Sequence, residues 1–203
     1  MDAVELRGCR VHLMAVVRGL VSEREAVRAA VADLSPEAVA LSISHEELEA
    51  LRTYDGGDAP TENVDEEVYV RGLSRFGEVR KPPPCFVEAL AAAAARGIPV
   101  HPLDMDEERY TNAYVAAVGA LDLLRSNARR ARLLKWQPRA DTPAAFVREW
   151  DALVNASAGY RRLQGEREAF IARRLHQLAG KYRTLLALVE VERLDGVRAR
   201  LTA

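Results

Sequence analysis

Two glutamates interrupt an apolar run near the end of the chain: Glu190 and Glu192 in "LALVEVERLDGV", residues 186–197. Strand side chains alternate, so the two carboxylates share one side and Val191 takes the other. A charge taken out of water is costly unless it is paired or metal-bound. The pair therefore suits either an ion-pair network with Arg18 or Arg193, or a metal site. Ligands of open parallel sheets sit beyond the carboxyl ends of the strands. Reading those ends in turn yields Arg18; then Ser42, Ser44 and His45; then His101, Asp104 and Asp106; then Glu190, Glu192 and Arg193. Such a set could take a metal or an anion. A divalent ion would draw on His45, His101, Asp104, Glu190 and Glu192; no other cofactor is implied.

Each residue also has a structural reading. Asp104 and Asp106 precede a helix, where an aspartate caps and complements the helix dipole. His45 falls in a first helical turn and suits a solvated position. His12 lies within a strand and His176 within a helix beside Arg173 and Arg174; both read as structural.

Other chemistries have less to stand on. No GxSxG elbow is present, and neither Cys9 nor Cys85 has a sequence-adjacent histidine to activate it. The two cysteines lack CxxC spacing and read as reduced thiols. No GxGxxG or GxxxxGK[ST] loop follows a strand, which argues against dinucleotide and P-loop nucleotide binding. The net charge of −1 gives no general pull toward nucleic acid or an anionic membrane. The basic stretch "RSNARRARLLKW" (125–136) suits a solvated helix face, with a local anion patch as the alternative. "AAFVREWDALV" puts Phe146, Trp150 and Leu153 on one stripe, either core or a surface for a partner helix.

The elements that must position these residues follow from hydrophobic period and turn chemistry. At 203 residues, with 49 % hydrophobic and 29 % charged side chains, the chain suits one well-cored domain rather than two. "AVEL" (3–6) and "CRVHLMAVV" (9–17) read as a hairpin across Gly8. Ser22 with Glu25 predicts a capping box opening a helix, which Ser35-Pro36 stops. "AVALSI" (38–43) completes a βαβ unit with parallel strands. Ser44 caps the next helix, and a polar, Gly-rich loop over 55–63 leads to a helix capped by Asp65. Prolines open another helix, which ends at Gly97. "IPVHPLD" (98–104) is a strand, and one helix is expected from Asp106 to Ser126 or beyond. Helices near 142–158 and 163–179 precede the strand at 183–192, and a short helix closes the chain. The expected fold class is α/β: a small, mainly parallel sheet in a helix-rich single domain, with an N-terminal hairpin.

The order of elements and several phrases resemble the TraB/PrgY/GumN family, related in fold to Tiki and ChaN-like proteins. "SEREAVRAAVADLSPEAVAL" resembles that family's helix leading into its "P-x-x-V-A-x-E" strand. "AAAAARGIPVHPLDMD" resembles "A-x-x-x-G-x-x-V-x-L-x-D-R-D", and "GEREAFIARRLHQLAGKYRTLLALV" resembles the "E-R-(D/N)" helix and following strand. Direct matching keeps Asp104, Asp106, Glu166 and Arg167. The departures are larger. Leu20 and Arg193 stand where the family's two Gly-x-x-His histidines fall, Ser42 replaces a carboxylate, Glu47 replaces an arginine, and Met105 replaces the arginine of "D-R-D". Some members of the family are metal-dependent peptidases. Losing both imidazoles and a carboxylate removes the ligands and base of that chemistry.

The resemblance thus implies a diverged, non-hydrolytic binding or regulatory protein whose pocket was rebuilt by charge. The alternative is a metal-dependent hydrolase of peptidase or esterase type with an altered ligand set. A protein partner or self-association through the exposed faces of residues 125–155 is expected, but no nucleic acid and no membrane. No stretch is long and apolar enough for a membrane span, and residues 1–17 lack a basic start followed by an unbroken apolar core, so a cytoplasmic location is expected.

Overall fold

Arg7 and Gly8 both take positive φ (50° and 81°), as tight two-residue hairpins require. They join strand β1 (Asp2–Leu6) to β2 (Cys9–Val16), paired antiparallel from Leu6 opposite Cys9 to Asp2 opposite Leu13. The structure, a computed structural model, describes residues 1–57, 61 and 63–202, without the side chains of 130–132. After the hairpin come α1 (Glu23–Leu34), β3 (Ala38–Leu41), α2 (His45–Arg52), α3 (Val64–Leu73), a 3-10 turn (Ser74–Phe76) and α4 (Pro84–Ala94). The chain continues through β4 (Val100–Pro102), α5 (Glu107–Ala117), α6 (Ala120–Leu133), α7 (Pro143–Val154), α8 (Ala158–Ala179), β5 (Thr184–Glu190) and α9 (Leu194–Leu201).

The sheet runs β1-β2-β5-β3-β4, and every pairing after the hairpin is parallel. The expected α/β architecture, with its N-terminal hairpin and small, mainly parallel sheet among helices, is therefore present. The last strand lies at the centre: β5 inserts between β2 and β3, so the two strands of the predicted βαβ unit are parallel without being neighbours. Alternation assigns the two faces. Leu185, Ala187 and Val189 join Val11, Leu13, Ala38 and Ala40 under α8 and α9. Leu186 and Leu188 join Val16, Val39 and Leu41 under α1 and α4. A strand buried on both faces reads as a continuous apolar run, as "LLALV" does. A third cluster, with Val17, Leu20, Leu73, Phe146 and Val191, packs α3 and α7 over the carboxyl ends of β2 and β5.

Cys9 and Cys85 are buried in the clusters on opposite faces, so the sheet separates the two thiols. Burial pushes the Cys85 thiol up to about 12, consistent with the reading of reduced, unactivated cysteines. Among the described residues, no helix is long and apolar enough to cross a membrane.

Several local expectations are corrected. Ser22 has helical backbone angles (φ −60°, ψ −21°) and makes no side-chain cap, because the turn from Leu20 already leads into α1. Glu23 instead accepts a bond from the Val17 amide at 3.3 Å. Asn63, not Asp65, caps α3 by accepting from the Glu66 amide. The single helix expected from Asp106 divides into α5 and α6 at Val118–Gly119. There Asp122 accepts from the amides of Gly119 and Gly159, tying the start of α6 to α8. Of the loop expected over 55–63, residues 58–60 and 62 lie outside the described residues.

Candidate functional site

β5 ends at Glu190, the next residue after Leu186 and Leu188 on the face toward α1 and α4. Its position is set by the sheet: the Val191 amide donates to the Val16 carbonyl, and the Glu190 amide donates to Ser42 Oγ at 3.2 Å. Glu190 is only 2 % exposed. Its Oε1 accepts from Arg18 Nη1 at 3.0 Å, whereas its Oε2 is buried without a hydrogen-bond partner. Arg18, two residues beyond the end of β2, also reaches Glu47 at 3.3 Å and lies 5.8 Å from the Phe86 ring centroid. Its carbonyl accepts from the Tyr69 hydroxyl at 3.0 Å, which ties α3 to the site.

Glu192 lies in the turn after β5 and lines the same cleft as Glu190. No ion pair forms to it among the described residues. Burial, reinforced by the neighbouring Glu190 charge, pushes the Glu192 carboxyl up to about 7. The other cations lining the cleft have other partners, Arg80 meeting Glu78 at 2.6 Å and Lys81 meeting Glu66 at 2.9 Å. Arg167 of α8 pairs with Asp104, and Arg193 pairs with Asp151 of α7 and with Glu168 of α8 at 3.3 Å. Arg193 is buried, and desolvation lowers its value to about 10, still a cation at neutral pH.

These groups line part of a cleft of about 630 Å³ beyond the carboxyl ends of β2 and β5. Tyr69 and Trp150 contribute aromatic wall, their ring centroids 5.9 Å apart, with Val70, Val79 and Pro83 around them.

The sequence-selected residues divide accordingly. Arg18, Arg167, Glu190, Glu192 and Arg193 line the cleft, and Asp104 reaches it through Arg167. Asp104 does not cap a helix: one oxygen accepts from the Met105 amide and the other from Arg167 Nε at 3.0 Å. Ser42 is buried as the acceptor for the Glu190 amide. Ser44 caps α2 in a capping box with Glu47, and Asp106 caps α5. Glu166 is exposed on α8.

His45 is exposed at the start of α2. His101 lies on the edge strand β4, in register with Ala40, and its Nε2 lies 2.8 Å from the Tyr182 hydroxyl. The set His45, His101, Asp104, Glu190 and Glu192 therefore does not converge; no cluster of three metal-ligating side chains forms among the described residues. Of the ion pairs expected for the two glutamates, Arg18–Glu190 is present, while Arg193 turns to Asp151 and Glu168.

Glu47, Tyr69, Asp151 and Glu168 were not identified as site residues from sequence, and Trp150 was read as core or partner surface. They reach the site from four helices, α2, α3, α7 and α8, so no local spacing marks them as a set. Phe146 is core, and Leu153 lines a second cleft of about 600 Å³ with Arg125, Arg129 and Trp136. Arg130 and Arg132, part of the basic stretch, have side chains outside the described residues. The exposed apolar residues near that stretch include Leu121, Leu124 and Leu134, so most of them precede the 125–155 surface expected for a partner.

No family model matches the chain, and no curated protein matches it.

Proposed function

We propose that this is a diverged, non-hydrolytic binding or regulatory protein on a TraB-like scaffold, holding its ligand in the cleft beyond β2 and β5. The observation that carries the reading is the Glu190 carboxylate, buried at the end of the central strand with one oxygen on Arg18 and the other without a partner. A buried polar atom left unsatisfied is costly, and a ligand donor entering the cleft would remove that cost. The positions matched by resemblance to the family's histidines support loss of the hydrolytic chemistry. Leu20 is a core side chain and Arg193 a buried, ion-paired guanidinium; neither is a metal ligand or a neutral general base.

A second reading, the metal-dependent hydrolase, is favoured by one observation: two carboxylates, Glu190 and Glu192, line one cleft without a guanidinium for each. Elemental analysis of untagged protein, before and after incubation with zinc, manganese or calcium, separates the readings. Sub-stoichiometric metal and no turnover of peptide or ester substrates support the binding protein. Near one ion per chain, lost in the double variant Glu190→Gln/Glu192→Gln, together with turnover, would replace it with the hydrolase.

A further inference from the structure

The cleft's charges identify what kind of ligand it takes. Arg18 is shared between Glu190 and Glu47, Arg167 is held by Asp104, Arg193 by Asp151 and Glu168, Arg80 by Glu78 and Lys81 by Glu66. Among the described residues Glu192 has no ion-pair partner, and Glu190 Oε2 has no donor. The unmet demand is thus for positive charge bearing N–H donors, beside the Tyr69 and Trp150 rings that line the cleft.

We infer that the cleft binds an organic cation, a protonated amine on an apolar body, with its ammonium at the Glu190 and Glu192 carboxylates and its body against Tyr69 and Trp150. This deepens the binding-protein reading and rests on it. An ammonium supplies up to three donors and one charge at a single point, so one group meets both carboxylates. Cations are also attracted to the faces of tyrosine and tryptophan. A cleft of about 630 Å³ is of the size that holds a small organic molecule. A divalent metal asks for more oxygen ligands than the two glutamates supply, and no third metal-ligating side chain joins them among the described residues. An anionic ligand would face Glu190 and Glu192 across guanidiniums already paired.

The test is titration of the full-length protein with 2-phenylethylamine, its neutral isostere 2-phenylethanol, 3-phenylpropionate and manganese chloride. Binding is read by calorimetry and by amide shifts of Glu190, Glu192 and the Trp150 indole. The expected result is saturable binding of the amine alone, with shifts confined to the cleft, and an affinity loss of about tenfold or more in Glu192→Gln. Glu190→Gln should behave alike; because Glu192 is not ion-paired, its variant keeps the test open if Glu190→Gln fails to fold. Binding of the alcohol or the acid in preference to the amine overturns the ligand class and leaves a binding cleft in place. Manganese binding without amine binding overturns the ligand class in favour of the hydrolase. No shift at the cleft with any of the four compounds overturns the inference, and with it the choice of this cleft as the binding site.

Discussion

Glu190 Oε1 and Arg18 Nη1 meet at 3.0 Å across the ends of the two adjacent parallel strands β5 and β2, the glutamate buried and the arginine about one-third exposed. The asymmetry decides what each contributes. Arg18 can recover water if its partner is lost, whereas Glu190 cannot.

Arg18→Met should therefore destabilise the fold by roughly 2–4 kcal/mol, because it strands a buried carboxylate. Glu190→Gln should cost less, and the double variant less than the sum of the two. Urea unfolding of the four proteins measures the coupling. Additive losses would mean that the pair contributes nothing as a pair.

Glu192 makes stability depend on pH. Its carboxyl lies at about 7 in the folded chain against an ordinary 4.5, so the folded state holds the proton more tightly than the unfolded one. Burial raises it first and the Glu190 charge next; a backbone hydrogen bond at Glu192 itself and the charges of Arg18 and Arg167 lower it. Stability falls as pH rises from about 4.5 to about 7 and levels off above. The difference is roughly 3 kcal/mol for a shift of this size. Glu192→Gln should abolish that slope and gain on the native protein at pH 8; urea midpoints at pH 5 and pH 8 read both.

Gly72 of α3 lies against Phe146 of α7. A Cβ placed there would come within 2.4 Å of the Phe146 ring, which is fully buried. Gly72→Ala should destabilise by roughly 1–3 kcal/mol through overpacking, despite the better helix propensity of alanine. Adding Phe146→Leu should recover part of the loss. Calorimetric melting of the single and double variants tests this; equal stability of Gly72→Ala and native protein would contradict the contact.

His101 should titrate below the ordinary 6.5. Burial lowers it first, and the charges of Lys181, Arg174 and Arg52 lower it further. Its neutral form is the one the fold favours, so its contribution is complete above 6.5 and is lost as pH falls through the folded value. Imidazole shifts followed by NMR give the midpoint. A midpoint at or above 6.5 would mean that the ring is more solvated than its place beside Tyr182 implies.

Much of the fold was legible because it depends on local period and local punctuation. The hairpin follows from two strand-like runs about Gly8, α2 from its Ser44 cap, and β5 as a buried strand from its unbroken apolar run. Where neighbours intervene, local rules gave way. Ser22 carries a capping sequence, yet the preceding turn sets its backbone. The helix after Asp106 has continuous apolar spacing, yet Asp122 anchors its break to Gly159, far along the chain.

The site divides in the same manner. By itself the sequence determined that Glu190 and Glu192 stand at the end of an apolar strand; β5 stops at Glu190, so it is the turn after the strand, and not strand alternation, that brings Glu192 to the same cleft. Only the tertiary structure decided that β5 is central and that Arg18 faces Glu190. It also decided that Arg193 turns away to Asp151 and Glu168, and that His45 and His101 stand apart from the carboxylates. Strand order and the approach of four different helices depend on how hydrophobic faces pack across the whole chain, and charge partners are chosen by that packing rather than by sequence spacing.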